Sequence, residues 1–271
     1  MPWLSPTAIH GAAHPGWMQT KNMFFRPLRD PCWYYNGLKP VGHSQTKVYA
    51  PFKLTISLHT CLYSEQVRRW PLTGRHILAR YDADSIYVYQ AYQPGIARFA
   101  TEHQRFGGDF SYNRMSWIKP NFLWMMYRSG WATKEGQEHI LAIRLKRSFF
   151  DELLKLVIPS SFDPVRFTNM DVWKAAVESS NVRLQWDPDH DPAGLPVERR
   201  AVQLGLRGFA LRRFGEQELL SIEDITPFVI EQREFLQRPF DKLNVPEERV
   251  YVPADQEAVV AVGIEVDGVG E

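Results

Sequence analysis

Residues 85–103, SIYVYQAYQPGIARFATEH, change character in the middle, at Pro94. The first eight residues are rich in β-branched and aromatic side chains, a composition typical of a strand. Pro94 suits the first position of a helix, and Ile96 and Ala100 then fall on one helical face. This stretch therefore predicts a strand followed directly by a helix, with a short helix over its first part as the alternative.

Similar signals recur along the chain. Pro120 opens a predicted helix over 121–129, and Gly130 ends it. Further helices are predicted over 149–157, with Ser148 as its cap, 169–178, with Thr168 as its cap, 209–214 and 226–237. Strands are predicted over 139–145, 182–186, 201–206 and 219–225. Because these elements alternate irregularly and no Gly-rich turn joins a strand to a helix, the sequence predicts an α+β fold, a single mixed-sheet domain with flanking helices.

The 271 residues divide into three compositions. Residues 1–70 carry 8 Lys or Arg against 2 acids and show little periodicity, so we expect a poorly patterned N-terminal extension, with disorder or a strand near its end as alternatives. Residues 71–240 are the predicted main α+β domain. Residues 241–271 are expected to be a loose, acidic C-terminal tail.

Composition also bears on the class of protein. The chain has no run of 18 apolar residues and no leader-like N-terminus, so neither a membrane partner nor secretion is expected. Its two cysteines, Cys32 and Cys61, do not form a disulfide framework, which favours a cytoplasmic location. The histidines are scattered, so no metal site is predicted. The common motifs for dinucleotides, phosphate loops, zinc proteases and serine hydrolases are missing.

Aromatic, cationic and amide side chains are concentrated between Tyr87 and Glu138. Trp117 and Trp131 flank the predicted helix 121–129 and either line a cleft or belong to the core. Arg128 is either an ion-paired surface residue or a ligand clamp. The candidate binding residues are Arg75, Tyr89, Gln90, Tyr92, Arg114, Trp117, Lys119, Arg128 and Trp131.

Two positions next to predicted elements carry more specific expectations. Lys119 precedes the helix that starts after Pro120, and a helix N-terminus attracts anions, so a phosphate site is predicted there. Gln137 and Glu138 precede the predicted strand 139–145 and are the catalytic candidates, with simple exposure at a strand edge as the alternative.

A third group of polar residues lies later in the chain. Arg200 precedes the predicted strand 201–206 and Gln203 lies within it, and both are expected either to face the same cleft or to be solvated. Asp187 is expected to be a turn residue.

These segments resemble a family known as domain of unknown function 4291. Four strings carry the resemblance: RHILARYD (75–82), IYVYQAY (86–92), RMSWIKPNFLWMMYRSGWATK (114–134) and QEHILAI (137–143). VRLQWDP, VQLGLRG and SIEDITP extend it to about residue 229. The family pattern begins Arg-Gln-Ile-Arg, whereas this chain has Leu78 in the fourth place, so a role for the second arginine does not carry over. The family name implies no activity.

The order of elements is also similar to that of ADP-ribosyltransferases, although the Ser-Thr-Ser signature of one transferase class is absent. This resemblance implies NAD as the substrate, with nicotinamide leaving through an oxocarbenium-like state. It implies that Tyr89 and Trp117 flank the nicotinamide. Arg75, with Lys119 or Arg128, would hold the diphosphate.

The same resemblance implies that Glu138 binds the ribose 2′-hydroxyl and stabilises the transition state. The expected function is therefore a nucleotide-binding enzyme, ADP-ribosyltransferase-like, that uses NAD on an unidentified acceptor such as RNA or a protein.

One alternative is a non-catalytic RNA- or nucleotide-binding module, in which Trp117, Trp131, Arg114 and Lys134 contact bases. A net charge of −5 after residue 70 argues against a long nucleic-acid track. A structural or interaction protein with its aromatic residues in the core is the other alternative.

Overall fold

The structure, a computed structural model, describes residues 58–265. Its helices are α1 (Tyr63–Gln66), α2 (Pro94–His103), α3 (Phe122–Ser129), α4 (Arg147–Lys155), α5 (Met170–Ser179), α6 (Gly208–Glu216), α7 (Thr226–Arg233) and α8 (Gln256–Val262). Its strands are β1 (Thr60–Leu62), β2 (Ile77–Ala79), β3 (Ser85–Tyr92), β4 (Ser116–Ile118), β5 (His139–Lys146), β6 (Ile158–Pro159), β7 (Val182–His190), β8 (Pro196–Leu206), β9 (Leu219–Asp224), β10 (Asn244–Pro246) and β11 (Arg249–Tyr251). The predicted α+β class is confirmed.

Two larger sheets organise these elements. One has the order β3-β5-β9 and is antiparallel; the other has the order β4-β8-β7-β6, in which β6 runs parallel to β7. An isolated antiparallel bridge joins the two sheets, with the Tyr89 amide donating to the Lys119 carbonyl at 2.7 Å. Backbone pairing between β3 and β4 does not continue beyond this bridge, so the sheets part there.

Strand β3 is buried on both faces. Ile86 and Val88 belong to one hydrophobic core, whereas Tyr87 and Tyr89 belong to a second core on the other face. A strand covered on both sides reads as a continuous apolar run, which is why its bounds follow so clearly from the sequence. Its last even-numbered residues, Gln90 and Tyr92, continue the face of Ile86.

Helix α3 also forms as predicted. The Asn121 side-chain oxygen accepts from the Trp124 amide at 2.6 Å, and Gly130 ends the helix in the left-handed conformation at φ 60°. Two other predicted caps are wrong. Helix α4 begins at Arg147 and therefore includes Ser148, while Asn169, not Thr168, caps α5 by accepting from two amides.

The folded unit is wider than the predicted 71–240. Strand β1 pairs with β10, and β2 pairs with β11, so both flanking segments are tied to the domain. The Gln66 amide nitrogen donates to the Pro246 carbonyl at 3.0 Å, and the Trp70 indole donates to the Glu248 carbonyl at 2.9 Å. Residues 241–265 thus contain regular structure where a loose tail was expected, because strands of three residues are too short to show a period. Residues 1–57 and 266–271 lie outside the described part.

A buried ion pair fixes the β7–β8 hairpin to the segment before β2. The Arg199 guanidinium donates to Asp189 at 2.9 and 2.5 Å, and the two side chains are 6% and 1% exposed. Arg199 also donates to the Pro71 carbonyl at 2.7 Å and lies over the Trp70 ring. The Arg199 side chain therefore connects the β7–β8 hairpin with residues 70 and 71.

Replacing Arg199→Met should lower the free energy of unfolding by about 3–5 kcal/mol, because the Asp189 carboxylate would remain buried without its partner. The matched control is Arg212→Met on α6, whose exposed pair with Glu216 is 3.8 Å long and whose guanidinium lies over the Tyr112 ring; this change should cost at most about 1 kcal/mol. Urea denaturation measures both. Equal losses in the two variants would contradict the assignment.

Candidate functional site

A cavity of about 640 Å³ lies where β3 and β4 part. Its volume lies within the range of about 300–1,000 Å³ that small-molecule sites occupy. Seven of the predicted site residues line it: Gln90, Tyr92, Arg114, Trp117, Lys119, Arg128 and Gln137. The fold therefore brings together most of the candidates that the sequence indicated.

One wall of the cavity follows from the register of the second sheet. Trp117 lies opposite Gly205 on β8, and Gln203 lies opposite Gln185 on β7. Continuing the β4–β8 register by one residue places Lys119 opposite Gln203. Residues opposite each other in a ladder share a face, so these side chains form one polar and aromatic surface across three strands.

Gly205 allows the Trp117 ring to lie close against β8. A Cβ atom at this glycine would be 3.1 Å from two atoms of the indole and 2.6 Å from the Met115 sulfur. Trp117 is half-buried and lines the cavity, so it forms part of the cleft that was one of its two predicted settings.

Lys119 is the most unusual side chain of the cavity. It is 4% exposed, and its amine has no hydrogen bond or ion pair with any residue of the described range. Burial lowers the pKa of this amine to about 8, with a further lowering by the Arg128 guanidinium and an opposing effect of Asp187. An amine that is buried without a partner is costly to keep charged.

Asp187 is held in place beside this wall. The Gln185 amide nitrogen donates to one of its carboxylate oxygens at 2.7 Å, and the Gln203 amide nitrogen donates to the other at 2.6 Å. The prediction of a turn at Asp187 is wrong, because β7 continues through Pro188 to His190. Both glutamines line the cavity. Gln185 was missed as a site residue, although it shares a strand face with Asp187 in the VRLQWDP string.

Gln90 and Tyr92 hold the opposite wall to β4. The Gln90 amide nitrogen donates to the Ser116 hydroxyl at 2.8 Å and to the Trp117 carbonyl at 3.0 Å. The Tyr92 hydroxyl lies 3.0 Å from the same serine oxygen. Burial raises the pKa of Tyr92 well above its ordinary value, so the hydroxyl stays protonated. These side chains replace the missing backbone ladder and position Trp117.

The charge of the lining favours an anion. Arg114, Lys119 and Arg128 face a single carboxylate, Asp109, which gives a formal net charge of +2. Asp109 was missed by the sequence analysis. It lies near the start of α2, where a Cβ atom at Gly95 would be 3.1 Å from its carboxylate. Clefts lined by one sign of charge concentrate ligands of the opposite sign.

Three predicted binding residues lie elsewhere. Tyr89 is fully buried on the other face of β3, where its ring meets Phe122 edge-on at 5.5 Å. Trp131 is in the same core, and its indole donates to the Pro192 carbonyl at 3.1 Å. Arg75 is exposed beside Glu265, whose carboxylate accepts from the Arg75 amide at 3.3 Å.

Glu138 also lies outside the lining, although its neighbour Gln137 is part of it. Its carboxylate accepts from the Gly136 amide at 2.8 Å, and this hydrogen bond, together with one from its own amide, lowers the pKa of the carboxyl. Glu138 is thus engaged in its own turn. Arg200 similarly donates to the Trp186 carbonyl at 3.2 Å, while Gln203 lines the cavity.

Gly205→Ala should lower the free energy of unfolding by about 1–3 kcal/mol, because the added methyl group overpacks Trp117 and Met115. Combining it with Met115→Ala removes the shorter contact, so the additional loss caused by Gly205→Ala should be smaller in that background. Chemical denaturation of the four proteins of this cycle measures the coupling. Equal losses in both backgrounds would show that Met115 does not press on this position.

A family model described as a domain of unknown function (DUF4291) matches residues 76–251. The chain belongs to this family, and the match covers every residue of the cavity lining. No curated protein matches the chain. Between residues 58 and 265, no helix is long and apolar enough to cross a membrane. The similarity to ADP-ribosyltransferases stays a prediction.

Proposed function

We propose that this member of the DUF4291 family binds a nucleotide in the cavity between its two sheets. The observation that carries the proposal is the Lys119 amine, which is buried, lacks a partner in the described chain and lines the cavity with Arg114 and Arg128. A phosphate group would supply the missing counter-charge and accept hydrogen bonds from all three cations.

The remaining lining suits the base or another ring of such a ligand. The Trp117 indole offers an aromatic face, and stacking of a base on an aromatic side chain contributes about 1–3 kcal/mol. Gln185 and Gln203 use their amide nitrogens on Asp187, so their amide oxygens are available as acceptors. This combination of three cations, an aromatic ring and amide groups in one cavity supports a nucleotide over a simple inorganic anion.

NAD belongs to this class of ligand. Transfer of ADP-ribose would also need a carboxylate near the ribose to stabilise developing positive charge. Glu138 is bound within its own turn and lies outside the lining. The proposal is therefore nucleotide binding, without a catalytic role for Glu138.

Arg128→Gln should weaken the binding of ADP and of NAD by about ten- to a hundredfold, the effect of losing one charge-assisted hydrogen bond. Isothermal titration calorimetry on the full chain measures this. Arg68→Gln is the matched control, because Arg68 is also exposed but lies outside the cavity. Glu138→Gln should bind as the unchanged protein does. Equal weakening in Arg68→Gln, or binding of a short RNA but not of ADP, would contradict the proposal.

The affinity for ADP should fall as the pH rises through about 8. A bound phosphate favours the charged amine and so raises the pKa of Lys119, which means that binding takes up a proton above pH 8 and weakens there. Between pH 7 and 9 we expect a loss of about tenfold, the scale of one pKa unit. Calorimetry with Lys119→Met should show weaker binding of ADP, with an affinity that does not change between pH 7 and 9. A profile in Lys119→Met as steep as in the unchanged protein would assign the titration to another group.

A further inference from the structure

We propose that Lys119 is a reactive amine that forms an imine with a phosphorylated aldehyde in the same cavity. The phosphate of this substrate would be held by Arg114 and Arg128, which are assigned above to nucleotide phosphates, so the inference rests on that part of the proposed function. It adds a covalent step and a substrate class.

The setting of Lys119 differs from that of the other lysines in residues 58–265, all of which are exposed. Lys134 donates to the Arg128 carbonyl at 2.7 Å, and Lys146 pairs with Glu218 at 3.1 Å. Lys119 instead carries its amine into a cavity of about 640 Å³ with no acidic partner to hold its proton. The cavity therefore gives a small ligand a route to this lysine, which is otherwise buried.

Burial and the neighbouring Arg128 on α3 keep part of this amine neutral, and Asp187 on β7 opposes them. The other charged or titratable groups of the lining are the cation Arg114, the anion Asp109 and Tyr92, which stays protonated. With the pKa of Lys119 at about 8, about a tenth of the amine is neutral at pH 7. Desolvation and a neighbouring cation are the two means by which proteins make a lysine nucleophilic.

The step balances without an oxidant or a reductant. The neutral Lys119 amine attacks the carbonyl carbon of the aldehyde and forms a carbon–nitrogen bond. The two protons of the amine leave with the carbonyl oxygen as water, and a carbon–nitrogen double bond remains. Arg114 and Arg128 hold the phosphate during this step, which keeps the carbonyl group near the amine.

Pyridoxal 5′-phosphate is a suitable probe, because it combines a phosphate, an aromatic ring and an aldehyde. The full chain is incubated with it, the imine is reduced with borohydride, and the labelled lysines are identified by peptide mass spectrometry. Labelling of Lys119 should be about tenfold faster than labelling of Lys134, and about tenfold faster than labelling of Lys119 by pyridoxal, which lacks the phosphate. At probe concentrations below saturation, where the rate reflects the free protein, it should also rise with pH through about 8, opposite to the affinity for ADP.

Matched variants make the assignment specific. Lys119→Arg should abolish the label at this site and Arg128→Gln should slow it, whereas Lys134→Arg should leave it unchanged. Labelling confined to exposed lysines, or equal labelling of Lys119 by pyridoxal, would overturn the inference. Calorimetry with ADP separates the two proposals. If ADP binds and Lys119 stays unlabelled, this inference fails alone; if Lys119 is labelled and ADP does not bind, nucleotide binding fails alone.

Discussion

The single backbone bridge between Tyr89 and Lys119 is the constraint on which the site depends. It links two sheets that are otherwise separate, and the backbone pairing stops after this one pair of residues. Past it, Gln90 and Tyr92 reach Ser116 with their side chains and keep β4 at a distance. A continuous ladder would bring the strands to about 4.8 Å and close the cavity. The polar side chains at the C-terminal end of β3 therefore keep a binding space open inside a largely apolar fold.

The same bridge explains the state of Lys119. Its backbone is fixed between the two sheets, so its side chain is placed on the cavity face by the ladder rather than by a partner of its own. Asp187 is near enough to affect its pKa but is bound by Gln185 and Gln203. The cation is thus left without a counter-charge by the arrangement of its neighbours, and this is the condition in which an anionic ligand gains most.

The sequence predicted β3, α2, α3 and β5 to within a residue or two. Pro94 marks the start of α2, Asn121 and Gly130 mark the ends of α3, and the two strands read as largely apolar runs. It also placed seven cavity residues in one site, since β3, β4 and α3 are neighbours along the chain as well as in space. The positions of the residues it misplaced depend on the alternation of side chains along a strand and on pairing between distant segments of the chain. Tyr89 is adjacent to Gln90 yet faces the other core, and Asp109 enters the cavity from a loop without a period. Strands β10 and β11 depend on partners near residues 60 and 78, which no local pattern shows.

Charge gives the clearest contrast between composition and structure. The chain after residue 70 carries a net −5, which argues against a long nucleic-acid surface, yet the cavity lining carries +2. Some of the acids elsewhere are ion-paired: Glu218 pairs with Lys146 and Arg213, and the buried Asp189 pairs with Arg199. Pairing removes these carboxylates from the long-range field, while Arg114 and Lys119 have no carboxylate bound to them in the described chain. A ligand therefore meets the local excess of positive charge rather than the net charge, which favours a small, strongly charged molecule over an extended polyanion.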